Sequence, residues 1–69
     1  MITVVILPDR IKRIINKPQA TIREILETVI GDTNPDSYAI TVNDKLVDSE
    51  DYVVKSGDKV IVIRQATGG

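Results

Sequence analysis

Thr21-Ile22-Arg23-Glu24-Ile25-Leu26-Glu27-Thr28-Val29-Ile30-Gly31 is the stretch that decides the fold. The Thr21 hydroxyl can accept from a free amide of a first helical turn, and Glu24, three residues on, completes a capping box. Ile22, Ile25, Leu26, Val29 and Ile30 then recur at the spacing of one helical face. Arg23, Glu24, Glu27 and Thr28 fall on the wet side. Gly31 stands where a C-terminal cap belongs, and Pro35 forbids continuation. Each large apolar side chain buried on this face contributes about 1.5–3 kcal/mol before ordering entropy is subtracted. A helix of about nine or ten residues is marginal alone, so it must pack on a partner element.

That element is a sheet. Upstream, residues 1–7 are apolar except for Thr3, and Pro8-Asp9-Arg10 is turn chemistry. Residues 11–16 resume as Ile-Lys-Arg-Ile-Ile-Asn, which predicts an antiparallel hairpin. Pro18 biases Lys17 away from helical geometry and ends the second strand. Downstream, residues 37–42 read as a strand with Tyr38, Ile40 and Val42 on one face. Asn43-Asp44 suits a tight turn of positive φ, and Lys45-Leu46-Val47 a short return strand. Residues 48–51 form a polar connection, Tyr52-Val53-Val54 a brief apolar stretch, and Ser56-Gly57-Asp58 another turn. Residues 59–64 contain the last strand. Hairpin, helix, hairpin and final strand define an α+β layer, one helix across one sheet face. The expected organisation is one domain over residues 1–64 and a flexible tail over residues 65–69.

With 69 residues, only one domain is possible. A chain of this size buries roughly 60% of its unfolded surface, a thin core with little room for a deep pocket. Ile and Val dominate, and Tyr38 and Tyr52 are the only aromatic residues. The net charge of −1, with both signs interspersed, argues against direct nucleic-acid binding and against a membrane-surface role. No apolar run has the length of a membrane span. Cysteine is absent, which excludes disulfides and thiolate metal sites and points to the cytoplasm. Histidine is absent too. The chain therefore lacks the usual general base, the usual thiol nucleophile and most transition-metal ligands. No catalysis, cofactor or metal is expected.

Two local charge clusters have bland readings. Arg10, Lys12 and Arg13 lack the aromatic platforms of a nucleic-acid binder and read as a solvated hairpin. Asp44, Asp48, Glu50 and Asp51 match no Ca²⁺ loop and read as solvated turns. The lysines, Lys12, Lys17, Lys45, Lys55 and Lys59, are those of any soluble protein.

The apolar strands carry more information. Val4-Val5-Ile6-Leu7 and Val60-Ile61-Val62-Ile63 are hydrophobic on both faces, yet one helix covers one face only. One parity of side chains, such as Val5, Leu7, Ile61 and Ile63, is left as an exposed apolar patch of the kind that marks partner surfaces. Which parity faces the helix is open at this level. Arg64 either anchors the tail to acidic groups of a partner or solubilises a strand end.

Gly68-Gly69 is the remaining feature. At an average glycine frequency of about 7%, a terminal pair arises by chance in about one chain in two hundred. A C-terminal carboxylate titrates near about 3.5, so at neutral pH it is an anion and a poor electrophile that must be activated, for instance as an acyl adenylate. Glycines thread narrow channels because they lack side chains. The five residues beyond Arg64, extended, reach about 17 Å.

The capped helix, Val-Asn-Asp-Lys-Leu-Val at 42–47, Ser-Gly-Asp-Lys-Val at 56–60, the apolar last strand and Gly68-Gly69 together resemble the ubiquitin-like sulfur-carrier family. That family includes the thiamine-pathway sulfur carrier, the molybdopterin-synthase small subunit, and the ubiquitin-related and small archaeal modifiers. The resemblance covers the whole chain. It implies a ubiquitin-like β-grasp, one helix on a mixed four- to five-stranded sheet, with first and last strands parallel. It also implies a monomer with Gly69 as the reacting residue and Gly68 giving access. The implied partners are an ATP-dependent adenylating enzyme and then a sulfur-accepting enzyme or target-protein lysines. The product is a thiocarboxylate or an isopeptide. The absence of proline before the terminal residues and the short chain fit the thiamine-pathway carriers or small archaeal modifiers better than the other branches. The alternative is a β-grasp interaction module with an inert tail.

Overall fold

The computed structural model describes residues 1–31 and 38–64. Strands β1 (Ile2–Leu7) and β2 (Ile11–Ile15) form the expected hairpin around a turn with a cis Leu7-Pro8 peptide. After β3 (Gln19–Thr21) comes α1 (Ile22–Val29). The chain continues through β4 (Tyr38–Val42), β5 (Lys45–Val47), β6 (Val53–Lys55) and β7 (Lys59–Arg64). The main sheet has five strands in the order β2-β1-β7-β4-β5. Only the central β1–β7 pair is parallel. One helix on this mixed sheet is the expected β-grasp.

The helix begins as its sequence dictates. The Glu24 amide donates to Thr21 Oγ1 at 3.2 Å, and the Thr21 hydroxyl donates to Glu24 Oε1 at 3.3 Å. Two further first-turn donors, which have no partner inside a helix, are satisfied from outside. The Ile22 amide donates to the Tyr52 carbonyl and the Arg23 amide to the Glu50 carbonyl, each at 3.0 Å. Arg23 also reaches Glu50 Oε1 at 2.8 Å and Asp51 Oδ1 at 2.9 Å. These two carboxylates raise its pKa, Glu50 foremost. The polar connection at 48–51 is thus a brace for the start of the helix. At the other end, Ile30 and Gly31 amides both donate to the Leu26 carbonyl at 2.9 Å, with Gly31 at φ 81°. The helix is therefore eight residues long, shorter than the periodicity predicts, because Ile30 serves as its cap.

Strand alternation sends one side chain in two into the core. Ile2, Val4 and Ile6 from β1, Val60 and Val62 from β7, and Ile40 and Val42 from β4 are buried with Ile22, Ile25 and Leu26 of the helix. A small second sheet, β3 with β6, was not expected from the sequence. Its central pair, Ala20 and Val54, is buried on both sides and closes one end of the core. The Met1 carbonyl accepts from the Gly57 amide at 2.8 Å, and the Met1 amino group donates to the Ser56 hydroxyl. No helix among the described residues is long and apolar enough to cross a membrane.

Candidate partner interface

The parity left open by sequence follows from register. Since Val4, Ile6, Val60 and Val62 are buried beneath the helix, Val5, Leu7, Ile61 and Ile63 point to the opposite face of the sheet. The central parallel pairing sets Val5 beside Ile61 and Leu7 beside Ile63. Outer partners extend both rows. One runs Lys12, Val5, Ile61, Thr41 and Leu46 across all five strands, and a shorter one runs Leu7, Ile63 and Ala39. Thr3 sits beside Ile14 in a third row.

This face has no cover among the described residues. Leu46 is 74% exposed, Ile14 54% and Ile63 38%, while Val5, Leu7 and Ile61 are half-buried by their neighbours. Val5, Leu7, Ile61 and Ile63 form an apolar centre, with Leu46 beyond Thr41 and Ile14 beside Thr3 at the rim, and contact of this centre with a partner would release water. Ile14 and Leu46 were not singled out from sequence. Each lies in a short strand that mixes charged and apolar residues, and only the cross-strand register places them on this face.

Arg64 closes β7 on the other parity, opposite Tyr38. Because β1 and β7 run parallel, their ends are adjacent, and the Arg64 guanidinium lies 3.4 Å from Asp9 Oδ2 in the β1–β2 turn. Both groups are about half exposed, and pairs of this kind contribute about 0–1 kcal/mol. In the free protein Arg64 is therefore held by an intramolecular acid, at the point from which the chain leaves the sheet. Gly68 and Gly69 lie outside the described residues.

The described residues offer no group of His, Cys, Asp or Glu that could hold a metal ion and no buried polar side chain. The arrangement is an apolar sheet face beside the end of β7, the strand that precedes residues 65–69.

Comparison with known proteins agrees in extent. The ThiS family model matches residues 5–69, from the first strand through the terminal glycines. No curated protein matches the chain.

Proposed function

The chain belongs to the ThiS family of ubiquitin-like sulfur carriers, and from this premise we propose that its reacting group is the C-terminal carboxylate of Gly69. Proteins of this family are small carriers rather than catalysts and work with an activating enzyme and sulfur-accepting partners. A carboxylate oxygen of Gly69 attacks the α-phosphorus of ATP on the activating enzyme, and pyrophosphate leaves. Hydrosulfide then attacks the acyl carbon of the adenylate, AMP leaves, the sulfur's proton passes to solvent, and a thiocarboxylate results. A lysine amine attacking the same carbon gives an isopeptide, which is the protein-modifier outcome.

The observation that carries this reading is the family match running through Gly68-Gly69. The uncovered apolar face supports it, because a protein that presents a tail to an enzyme needs a surface to hold it there. Val5, Leu7, Ile61 and Ile63 are the proposed docking residues, and Arg64 the proposed contact at the base of the tail. Residues 1–64 act as the folded handle and residues 65–69 as the probe that enters the partner's active site. The cytoplasm and a monomeric state fit this role.

The test is ATP–pyrophosphate exchange by the cognate adenylating enzyme. The full chain supports exchange, and the chain lacking Gly68-Gly69 stays folded and supports none. Full exchange from the shortened chain would overturn the proposal in favour of an interaction module with an inert tail. Intact mass of the protein from its native cell separates the two products. One oxygen replaced by sulfur marks a carrier, and larger discrete adducts mark a modifier.

A further inference from the structure

We propose that the free edge of β2 receives an extended, acidic segment of a partner protein as an additional strand. This inference rests on the sheet edge and is independent of the chemistry at Gly69. Strand β2 is terminal in the sheet order, paired with β1 along Ile11–Ile15 and with no strand on its other side among the described residues. Alternate residues of such a strand turn their N–H and C=O groups outward, a template for another chain.

The side chains specify what that chain would be. Four of the nine Lys and Arg residues, Arg10, Lys12, Arg13 and Lys17, fall in this strand and its flanks. Lys17 is paired with Glu24 at 3.7 Å, whereas Arg10, Lys12 and Arg13 make no ion pair or side-chain hydrogen bond among the described residues. Register puts Lys12 beside Val5 on the outer face and Arg13 beside Val4 on the inner face. The edge thus carries unpaired cations on both faces of the sheet, with exposed Ile14 two residues beyond Lys12 on the outer face. Carboxylates on both sides of an incoming strand meet this pattern, and apolar residues between them meet Ile14.

The same charges argue against other occupants. A second copy pairing β2 to β2 would oppose cations to cations. The β5 edge of a second copy is three residues long and begins with Lys45. RNA would also be drawn by cations, but neither tyrosine lies on β2 to stack a base.

The experiment titrates the isotope-labelled full chain with a ten-residue peptide repeating Glu-Glu-Val-Val, which as a strand places carboxylates and valines on both faces. Amide shifts and hydrogen-exchange protection are read by NMR. Saturable binding, with protection gained at alternate amides of residues 11–15, is expected, weakening as salt rises because screening shortens the reach of exposed charges. The Lys12→Glu/Arg13→Glu double variant, folded by its spectrum, should bind this peptide at least about tenfold more weakly. It should instead accept the same peptide with lysine in place of glutamate. Absence of saturable binding, protection at the outer face or β5 instead of β2, or binding indifferent to the charge swap would each overturn the proposal. Tighter binding of oligouridine at β2 would overturn it in favour of nucleic acid, and concentration-dependent self-association through β2 in favour of a second copy.

Discussion

The carboxamide of Asn43 donates to Asp58 Oδ1 at 3.0 Å, tying the β4–β5 turn to the turn that precedes β7. Each residue also accepts from a backbone amide of the segment around the second turn. Asn43 Oδ1 accepts from the Lys59 amide at 3.0 Å, and Asp58 Oδ2 from the Lys55 amide at 2.9 Å. Asn43 can stand there because it tolerates the left-handed backbone, φ 51°, that this tight turn demands. The Asn-Asp and Gly-Asp steps of the sequence are thus two halves of one clasp.

That clasp makes stability depend on acid. The Lys55 amide lowers the pKa of Asp58 most, followed by the Asn43 amide, with the Lys55 charge adding a smaller share. A carboxyl held below its ordinary range in the folded state stabilises the fold above its unfolded pKa of about 3.9. The contribution disappears as pH falls through the lower folded value. Asp58→Asn should therefore lower the urea midpoint near neutral pH, and the gap to the parent protein should close below about pH 4. A gap of constant size from neutral to strongly acidic pH would show that the clasp does not depend on the ionised carboxylate.

Leu26 is fully buried beneath the sheet. Leu26→Ala should cost about 2–5 kcal/mol through lost burial and a residual cavity. In a core this thin, such a loss is a large part of total stability. An unaltered urea midpoint would remove Leu26 from the core and contradict the packing described above.

Ile63 and Val62 are neighbours on opposite faces, and aspartate should separate their roles. Ile63→Asp should fold and be adenylated more slowly, since docking would desolvate the new charge against an apolar partner. Val62→Asp should fail to fold, because the same charge would enter the core. Circular dichroism reads the first property and pyrophosphate exchange the second. Adenylation of folded Ile63→Asp at the parent rate would mean that the activating enzyme docks elsewhere.

Gly69→Ala should slow adenylation without abolishing it, because a methyl group crowds the channel while the carboxylate keeps its place. One residue added after Gly69 should abolish it, since the reacting carboxylate becomes an amide. Displacements near about 1 Å can already cost about a hundredfold in rate. Exchange kinetics with the two variants measure both effects, and the reverse order of severity would contradict a reaction at Gly69.

The sequence made the long-period features legible. The helix could be read because five apolar residues repeat at its period, and β1 and β7 because each is an apolar run bounded by turn residues. Strands β3 and β6 could not. Gln19-Ala20-Thr21 and Val53-Val54-Lys55 are three residues each, too short for alternation to register, and they become strands only by pairing with each other. The Arg23 brace to Glu50 and Asp51 was hidden for a related reason, since a polar loop looks the same whether or not a distant cation meets it. The members of the outer-face patch were legible as surplus hydrophobicity. Their orientation came only with register, which places Val4, and not Val5, over the helix. The Gly-Gly tail is a sequence feature alone, as it lies outside the described residues.

The central β1–β7 ladder has a consequence for how the protein is made. Val4 pairs with Val60 and Val5 with Ile61, so the middle of the sheet joins segments 56 residues apart in sequence. A nascent chain still lacking Lys59–Arg64 has no place to seat β4, which pairs with β7 and not with β1. Contacts this distant in sequence form late and slowly compared with local ones. The outer row of Val5 and Ile61 is therefore assembled only once translation has nearly reached the glycines. A chain cut short before β7 would lack the face that we propose the activating enzyme docks against, whereas one missing only Gly68-Gly69 would keep that face and lack the reacting end.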